Sequence, residues 1–341
     1  MRIRLLTFMG ALTALCLAAA TAQTQNAMPL RLIKTFDLSG AVTGRFDHFA
    51  ADTQHNRLFV VAKDVKAVMV LDSGSGKVIH TIDHLGEPQG VLYRGDLDSI
   101  YIADGARGTV EIIDGKTYRT RKSIKLRLNA DSIAYDPVSQ YLYVVNGGAD
   151  AKMKHSFISI VDTSLGTTVG EIEVDGDTLE AMALEKATAM MYVDNRAKNQ
   201  VEVIDRKTYG IVATWPVTLG KTLVAMALDE ASHRLFVGGR DGSIVVFDTV
   251  TGKEMQALSI GPGLDDLVFD AASKRLYAAC GGSGTVDVYE EADRDHYRSL
   301  GKVPSGPLAR SGLLIPDLKQ YFVAVPKSTN KSATILVYEV Q

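Results

Sequence analysis

A bulky, β-branched segment centred on an aromatic side chain recurs seven times along this chain, and this repeat restricts the fold more than any other feature. The copies are RLFVV around Phe59, SIYIA around Tyr101, YLYVV around Tyr143, MMYVD around Tyr192, RLFVG around Phe236, RLYAA around Tyr277 and QYFVA around Phe322. Successive aromatics stand 42, 42, 49, 44, 41 and 45 residues apart. Each copy is followed by a second apolar alternation: AVMVLD, TVEIID, FISIVD, QVEVID, SIVVFD, TVDVYE and TILVYE. Five of these end in an aspartate (Asp72, Asp114, Asp162, Asp205, Asp248) that leads into turn-forming residues. A third stretch follows, as in KVIHTI or TVGEIEV, and a fourth precedes the aromatic, as in HFAAD, GVLYR, SIAYD, AMALE, AMALD and DLVFD. Period-two alternation broken by Gly, Asp, Asn and Ser turns reads as a four-stranded antiparallel meander. A four-stranded unit of about 40–45 residues matches the period of a propeller blade. One such sheet cannot cover both of its own faces, whereas blades packed around an axis cover one another. The expected fold is all-β: a seven-bladed β-propeller of four-stranded antiparallel blades.

The chain ends support a closed ring. The seventh unit supplies only three strands after Gly312 (GLLIP, QYFVAVP, ATILVYEV), while a spare strand, LRLIKTFDL, precedes the first unit. Pairing the two removes open edges, so the N-terminal strand is expected to complete the last blade.

Residues 1–22 read as an export signal rather than as part of the fold. Arg2 and Arg4 form a positive start, Leu5 to Ala20 is uncharged and apolar, and Ala20-Thr21-Ala22 offers small residues for cleavage. The apolar run is short for a bilayer span of about 20 residues. The expectation is a cleaved signal peptide, a single propeller domain over residues 23–341 in the periplasm or outside the cell, and no membrane span after cleavage. Cys280 is then the only cysteine, which rules out an intrachain disulfide. Loss of Arg2 and Arg4 takes the formal net charge from −3 to −5. A mildly acidic chain is a poor general binder of nucleic acid or anionic membrane, because both call for a basic surface.

The RLFV/YLYV strand, the VxVID strand after it and the GK or T-x-G turn resemble the YVTN-type β-propeller repeats of bacterial secreted proteins, the YncE-like propellers. The resemblance covers nearly the whole chain after residue 22. Met191 to Asn195 (MYVDN) and Tyr143 to Gly147 (YVVNG) come nearest to the literal motif. The resemblance implies a surface or periplasmic binding or scaffold protein, and related propellers include lactone-hydrolysing and lyase enzymes. The motif is a packing signature, so no catalytic residue is carried over with it.

A residue that breaks the repeat is not there for blade packing, which directs attention to the loops entering the innermost strands. Aligning those strands puts Asp47, Gln89, Asp131, Glu180, Val224 and Asp265 in one column, and His48, Gly90, Ser132, Ala181, Ala225 and Asp266 in the next. The seventh copy, Ala309 to Gly312, contributes Arg310 to within one or two residues of register. Carboxylates crowded at one mouth repel, raise at least one pKa, or recruit a cation. An oxygen-rich ring would suit Ca²⁺ or another divalent cation, with Asp47, Asp131, Glu180 and Asp265 as candidate ligands. The loops after the second strands add Lys63, Arg107, Arg196, Arg240 and Lys327. Of these, Arg107 and Arg196 are the candidates for ligand contact, and the lysines read as surface charge. His48, beside Asp47, is the one histidine at the acidic mouth that fits a general base; the others are scattered through turns and outer strands. Cys280 reads as a buried hydrophobe, Trp215 as an outer-strand packing residue, and Gly147-Gly148 and Gly281 to Gly284 as tight turns. Phosphate-cradling loops and nucleophile elbows are absent from the sequence. The function expected is recognition of a small polar molecule or a partner over the central channel. The alternatives are a lactone hydrolase or metal-assisted lyase at the same mouth, and a protein-interaction scaffold.

Overall fold

The computed structural model describes residues 28–40 and 44–341, so the expected signal peptide lies outside the described residues. Seven antiparallel four-stranded sheets follow one another in chain order. Blade 1 comprises Phe46–Asp52, Arg57–Ala62, Ala67–Asp72 and Val78–Ile82. Blades 2 to 7 begin at Pro88–Arg94, Ile133–Asp136, Leu179–Leu184, Leu223–Asp229, Leu264–Asp270 and Ser311–Ile315. The helical pieces among the described residues are three short 3-10 turns, and none is long and apolar enough to cross a membrane.

The seven repeated aromatics occupy the second strands, and none is more than 2 % exposed. Their neighbours explain how the blades hold together. In blade 1, Leu58, Val60, Met69 and Leu71 pack against Phe322, Ile335 and Val337 of blade 7. The intervening Phe59, Val61, Val68 and Val70 pack against Ile100 and Ile102 of blade 2. A strand has two faces related by one residue, so an unbroken apolar run serves both neighbours at once. Fourth strands are covered on fewer sides, and that of blade 2, Thr120–Lys125, buries only Ile124.

The recurring aspartate at the end of the third strand works locally. Asp72, Asp114, Asp162 and Asp248 each accept the backbone N–H three residues on, at 2.7, 2.6, 3.0 and 2.8 Å. Asp205 accepts that of Lys207 at 2.8 Å. These side chains cap the turn into the outer strand.

Leu30–Asp37 closes the ring as expected, pairing antiparallel with Thr334–Val340 from Leu30 opposite Val340 to Asp37 opposite Thr334. Phe36 reaches from this strand into the apolar seam between blades 7 and 1. Its ring lies over Gly76, where φ is +73° and a Cβ would stand 2.1 Å from the ring carbon Cγ. Cys280 is fully buried, and burial pushes its thiol up to about 12. Trp215 sits between Tyr192 and Phe247, with centroids 5.4 and 5.9 Å away. Gly147, Gly148 and Gly284 take positive φ as expected. Gly281 and Gly282 do not; they are small because neighbouring chain passes close, with Arg310 Cβ 2.9 Å from where a Cβ would be on Gly281.

Phe36→Ala should lower unfolding stability by about 3–5 kcal/mol, the usual cost of emptying a buried aromatic site. Leu32→Ala, on the exposed side of the same strand, should change it by less than about 0.5 kcal/mol. Urea titration of the two variants checks the contribution of the closing strand.

Candidate functional site

Five of the seven innermost strands carry the same irregularity at the same place. Pairing with the second strand shifts register between Phe46 and Phe49, Pro88 and Val91, Leu179 and Met182, Leu223 and Ala225, and Leu264 and Asp266. An extra residue in one strand bends it and re-aims the side chains there. The residues set free by these bulges are Asp47 and His48, Gln89 and Gly90, Glu180 and Ala181, Val224, and Asp265. In blade 3 the corresponding pair lies just ahead of the strand, held by Asp131 N–H donating to Val145 O at 2.9 Å and Val145 N–H to Ser132 O at 3.1 Å. The aligned columns in the sequence therefore correspond to bulges in five blades; the innermost strands of blades 3 and 7 pair without one.

Side chains from all seven blades line one cavity of about 270 Å³, which places it on the propeller axis. Asp47, His48, Gln89, Asp131, Glu180, Asp265, Arg196 and Arg310 all contribute to it. Asp266 stands behind this wall: its carboxylate accepts His48 Nδ1–H at 3.0 Å and the backbone N–H of Gly312 at 2.9 Å. Arg107 does not reach the cavity. Its guanidinium donates to His84 O and lines a separate groove beside blades 1 and 2. Lys63, read as surface charge, and Arg240, not among the candidates, line the cavity instead. The signal that separates these cations is register. Lys63, Arg196 and Arg240 each directly follow a second strand, ending at Ala62, Asn195 and Gly239, whereas Arg107 lies three residues beyond Asp104 and Lys327 two beyond Val325. The buried Asp104 also ties down its own loop by accepting the N–H groups of Gly86, Glu87 and Arg107.

The charges pair both within and between blades. Arg196 donates to Glu180 at 2.6 Å. Asp265 is shared by Arg240 and Arg310, the latter through Nε at 3.0 Å. Lys63 donates to Gln89 Oε1 and lies 3.2 Å from Glu87 and 3.7 Å from Asp47. Asp194 supports blade 4 from below, with Oδ1 accepting the N–H groups of Glu180 and Ala181 at 2.8 and 3.0 Å. Its other oxygen is buried without a partner, and burial together with Glu180 holds its pKa well above the carboxylate range. In the sequence this acid belongs to the packing motif, and nothing local in MYVDN reveals its second task.

Burial, reinforced by Asp47 and Glu180, pushes Asp131 up to about 8, against the pull of His48 and Lys63. Burial, with Asp265 and Asp266, likewise pushes Asp47 up to about 6. Burial would lower His48, but Asp266, Asp47 and Asp131 outweigh it and hold the imidazole well above its ordinary value. That shift favours the protonated ring, which is paired with Asp266. Among the described residues, no three His, Cys, Asp or Glu side chains gather at metal-binding spacing. Asp47, Asp131, Glu180 and Asp265 do not form one ligand set, and arginines already neutralise two of them.

Fold and cavity together define the class: a seven-bladed β-propeller with a charged, non-repeating channel mouth. No protein-family model and no curated protein matches the chain. Solved structures do resemble it. A chain in the crystal structure of a mitotic checkpoint complex is similar at a TM-score of 0.76, covering 100 % of this chain and 99 % of that one at 14 % identity. A chain of Kuenenia stuttgartiensis hydrazine synthase is similar at 0.72, covering 89 % and 99 % at 17 % identity. Likeness at these identities is likeness of fold.

Ionising Asp131 in the folded protein is unfavourable, because its folded pKa is raised above the value near 4 of an unfolded chain. The stability it contributes is complete below pH about 4 and is lost as pH rises towards about 8. Asp131→Asn should remove this loss. Relative to wild type, the variant should gain on the order of 2 kcal/mol between pH 6 and pH 9, read as a widening difference in urea midpoint.

Proposed function

We propose that this protein is an exported binding module that holds a small polar ligand over its central channel. The observation carrying the reading is that all seven blades contribute to a charged, non-repeating set of side chains around one cavity on the axis. Blade packing does not call for that set, and burying it is costly. The volume of about 270 Å³ lies just below the usual range for ligand pockets, which suits a ligand of few atoms. The walls bear no Phe, Tyr or Trp among the described residues, which suits a hydrophilic one. Rigid blades fix the loops in advance, so little ordering entropy is spent on binding. Export rests on the positive start, apolar run and small-residue cleavage site of residues 1–22.

A thermal-shift screen of the protein against sugar acids, amino acids, lactones, short peptides and divalent cations tests the reading. A ligand present at about 100 times its Kd should add roughly 2.7 kcal/mol of stability. The expected hit is abolished by Asp131→Ala and by Arg310→Ala. Turnover of a hit, or dependence on a divalent cation, would favour a hydrolase or lyase at the same mouth. A flat screen would overturn the binding reading and leave a protein-interaction scaffold, as the likeness to a chain of a mitotic checkpoint complex would suit.

A further inference from the structure

The charges of the cavity are divided between its two sides. In a ring of seven, blade 3 stands opposite blades 6 and 7. The sector of blades 3 and 4 presents Asp131, Asp150, Asp177 and Glu180 against Arg196 alone. The sector of blades 5 to 7 presents Arg240 and Arg310 against Asp265 alone. One carboxylate shared by two guanidinium groups leaves a positive charge over, and Arg240 Nε is buried with no hydrogen-bond partner. On the opposite side the Asp131 carboxyl is half-buried at the cavity wall and has no hydrogen-bond partner among the described residues. The other cations at the mouth are engaged: His48 by Asp266, and Lys63 by Gln89, Glu87 and Asp47.

We propose that the channel mouth takes a small zwitterion, its cationic group on Asp131 and its anionic group on the Arg240–Arg310 pair. The proposal rests on the cavity being a binding site and names the class of ligand. A compound with one charge satisfies one pole and leaves the other facing a group that cannot answer it, which is the arrangement that discriminates most strongly between near-isosteres. Asp131 faces Asp47, His48 and Lys63 from blade 1, Gln89 from blade 2 and Glu180 and Arg196 from blade 4, with Arg240, Asp265 and Arg310 across the channel. An arriving cation offsets the repulsion from Asp47 and Glu180 and favours the ionised carboxylate. Binding near neutral pH therefore releases a proton from Asp131, and affinity rises as pH approaches about 8.

Isothermal titration of the full chain with γ-aminobutyrate, β-alanine, 5-aminovalerate and glycine betaine tests this, with n-butylammonium, butyrate and erythritol as controls. At least one zwitterion should bind about tenfold or more tighter than both n-butylammonium and butyrate, a difference of about 1.4 kcal/mol. Its binding enthalpy should depend on the buffer's ionisation enthalpy at pH 7. Asp131→Asn should reduce its affinity to that of butyrate, and Arg310→Gln to that of n-butylammonium, with thermal unfolding showing both variants folded. The proposal is overturned if no zwitterion binds, if a singly charged control binds as tightly, or if the preference survives both substitutions. Binding of erythritol or a singly charged control that Asp131→Asn abolishes would keep the cavity as a site while overturning the zwitterion.

Discussion

The antiparallel pairing of Leu30–Asp37 with Thr334–Val340 is the constraint on which the rest depends. Without it blade 7 has three strands, and the seam containing Phe36, Leu58, Phe322 and Ile335 loses one of its walls. The channel mouth is shared by all seven blades, so it exists only if the ring is closed. Ring closure and site formation are the same event seen at two radii.

Closure also explains how so many charges are tolerated near one axis. Each bulge aims its side chains inward, and a ring of carboxylates alone would be opposed by mutual repulsion as well as by desolvation. The cations that follow the second strands answer this: Arg196 meets Glu180, Arg240 and Arg310 meet Asp265, and His48 meets Asp266. Asp131 is the acid left unanswered, and its raised pKa expresses that. Two acids whose pKa is raised, Asp131 in the cavity and Asp194 beneath Glu180, differ in accessibility. Asp194 spends one oxygen on the bulge backbone, whereas the Asp131 carboxyl faces the cavity without a hydrogen-bond partner.

A rigid, closed body with its polar groups already placed is suited to recognition, because the free energy of contact is not consumed in ordering loops. The same rigidity makes the division of charge meaningful: the acidic side at blades 3 and 4 and the basic side at blades 5 to 7 cannot rearrange to pair with each other. The shape of the cavity and the separation of its poles therefore restrict which small molecules fit. The likeness of fold to proteins as different as a mitotic checkpoint complex chain and hydrazine synthase adds no restriction of its own.

Strand periodicity, the seven aromatic positions, the closing strand and the columns at the innermost loops were legible in the sequence, because each follows from local alternation and from repetition at a fixed spacing. Phe59 and Tyr101 are buried for the same reason in every copy. Register alone would also have separated Arg196, Lys63 and Arg240 from Arg107, had the residue directly after each second strand been compared. Which charge meets which was decided only by tertiary structure. His48 and Asp266 are 218 residues apart, and Asp265 is claimed by arginines from blades 5 and 7. Such pairings depend on distances across a closed ring, and no pattern within one repeat encodes them. The sequence determined that a charged ring would form; its closure and curvature decided that His48 meets Asp266, that Asp131 stands unpaired and that Arg107 lies on the outer wall.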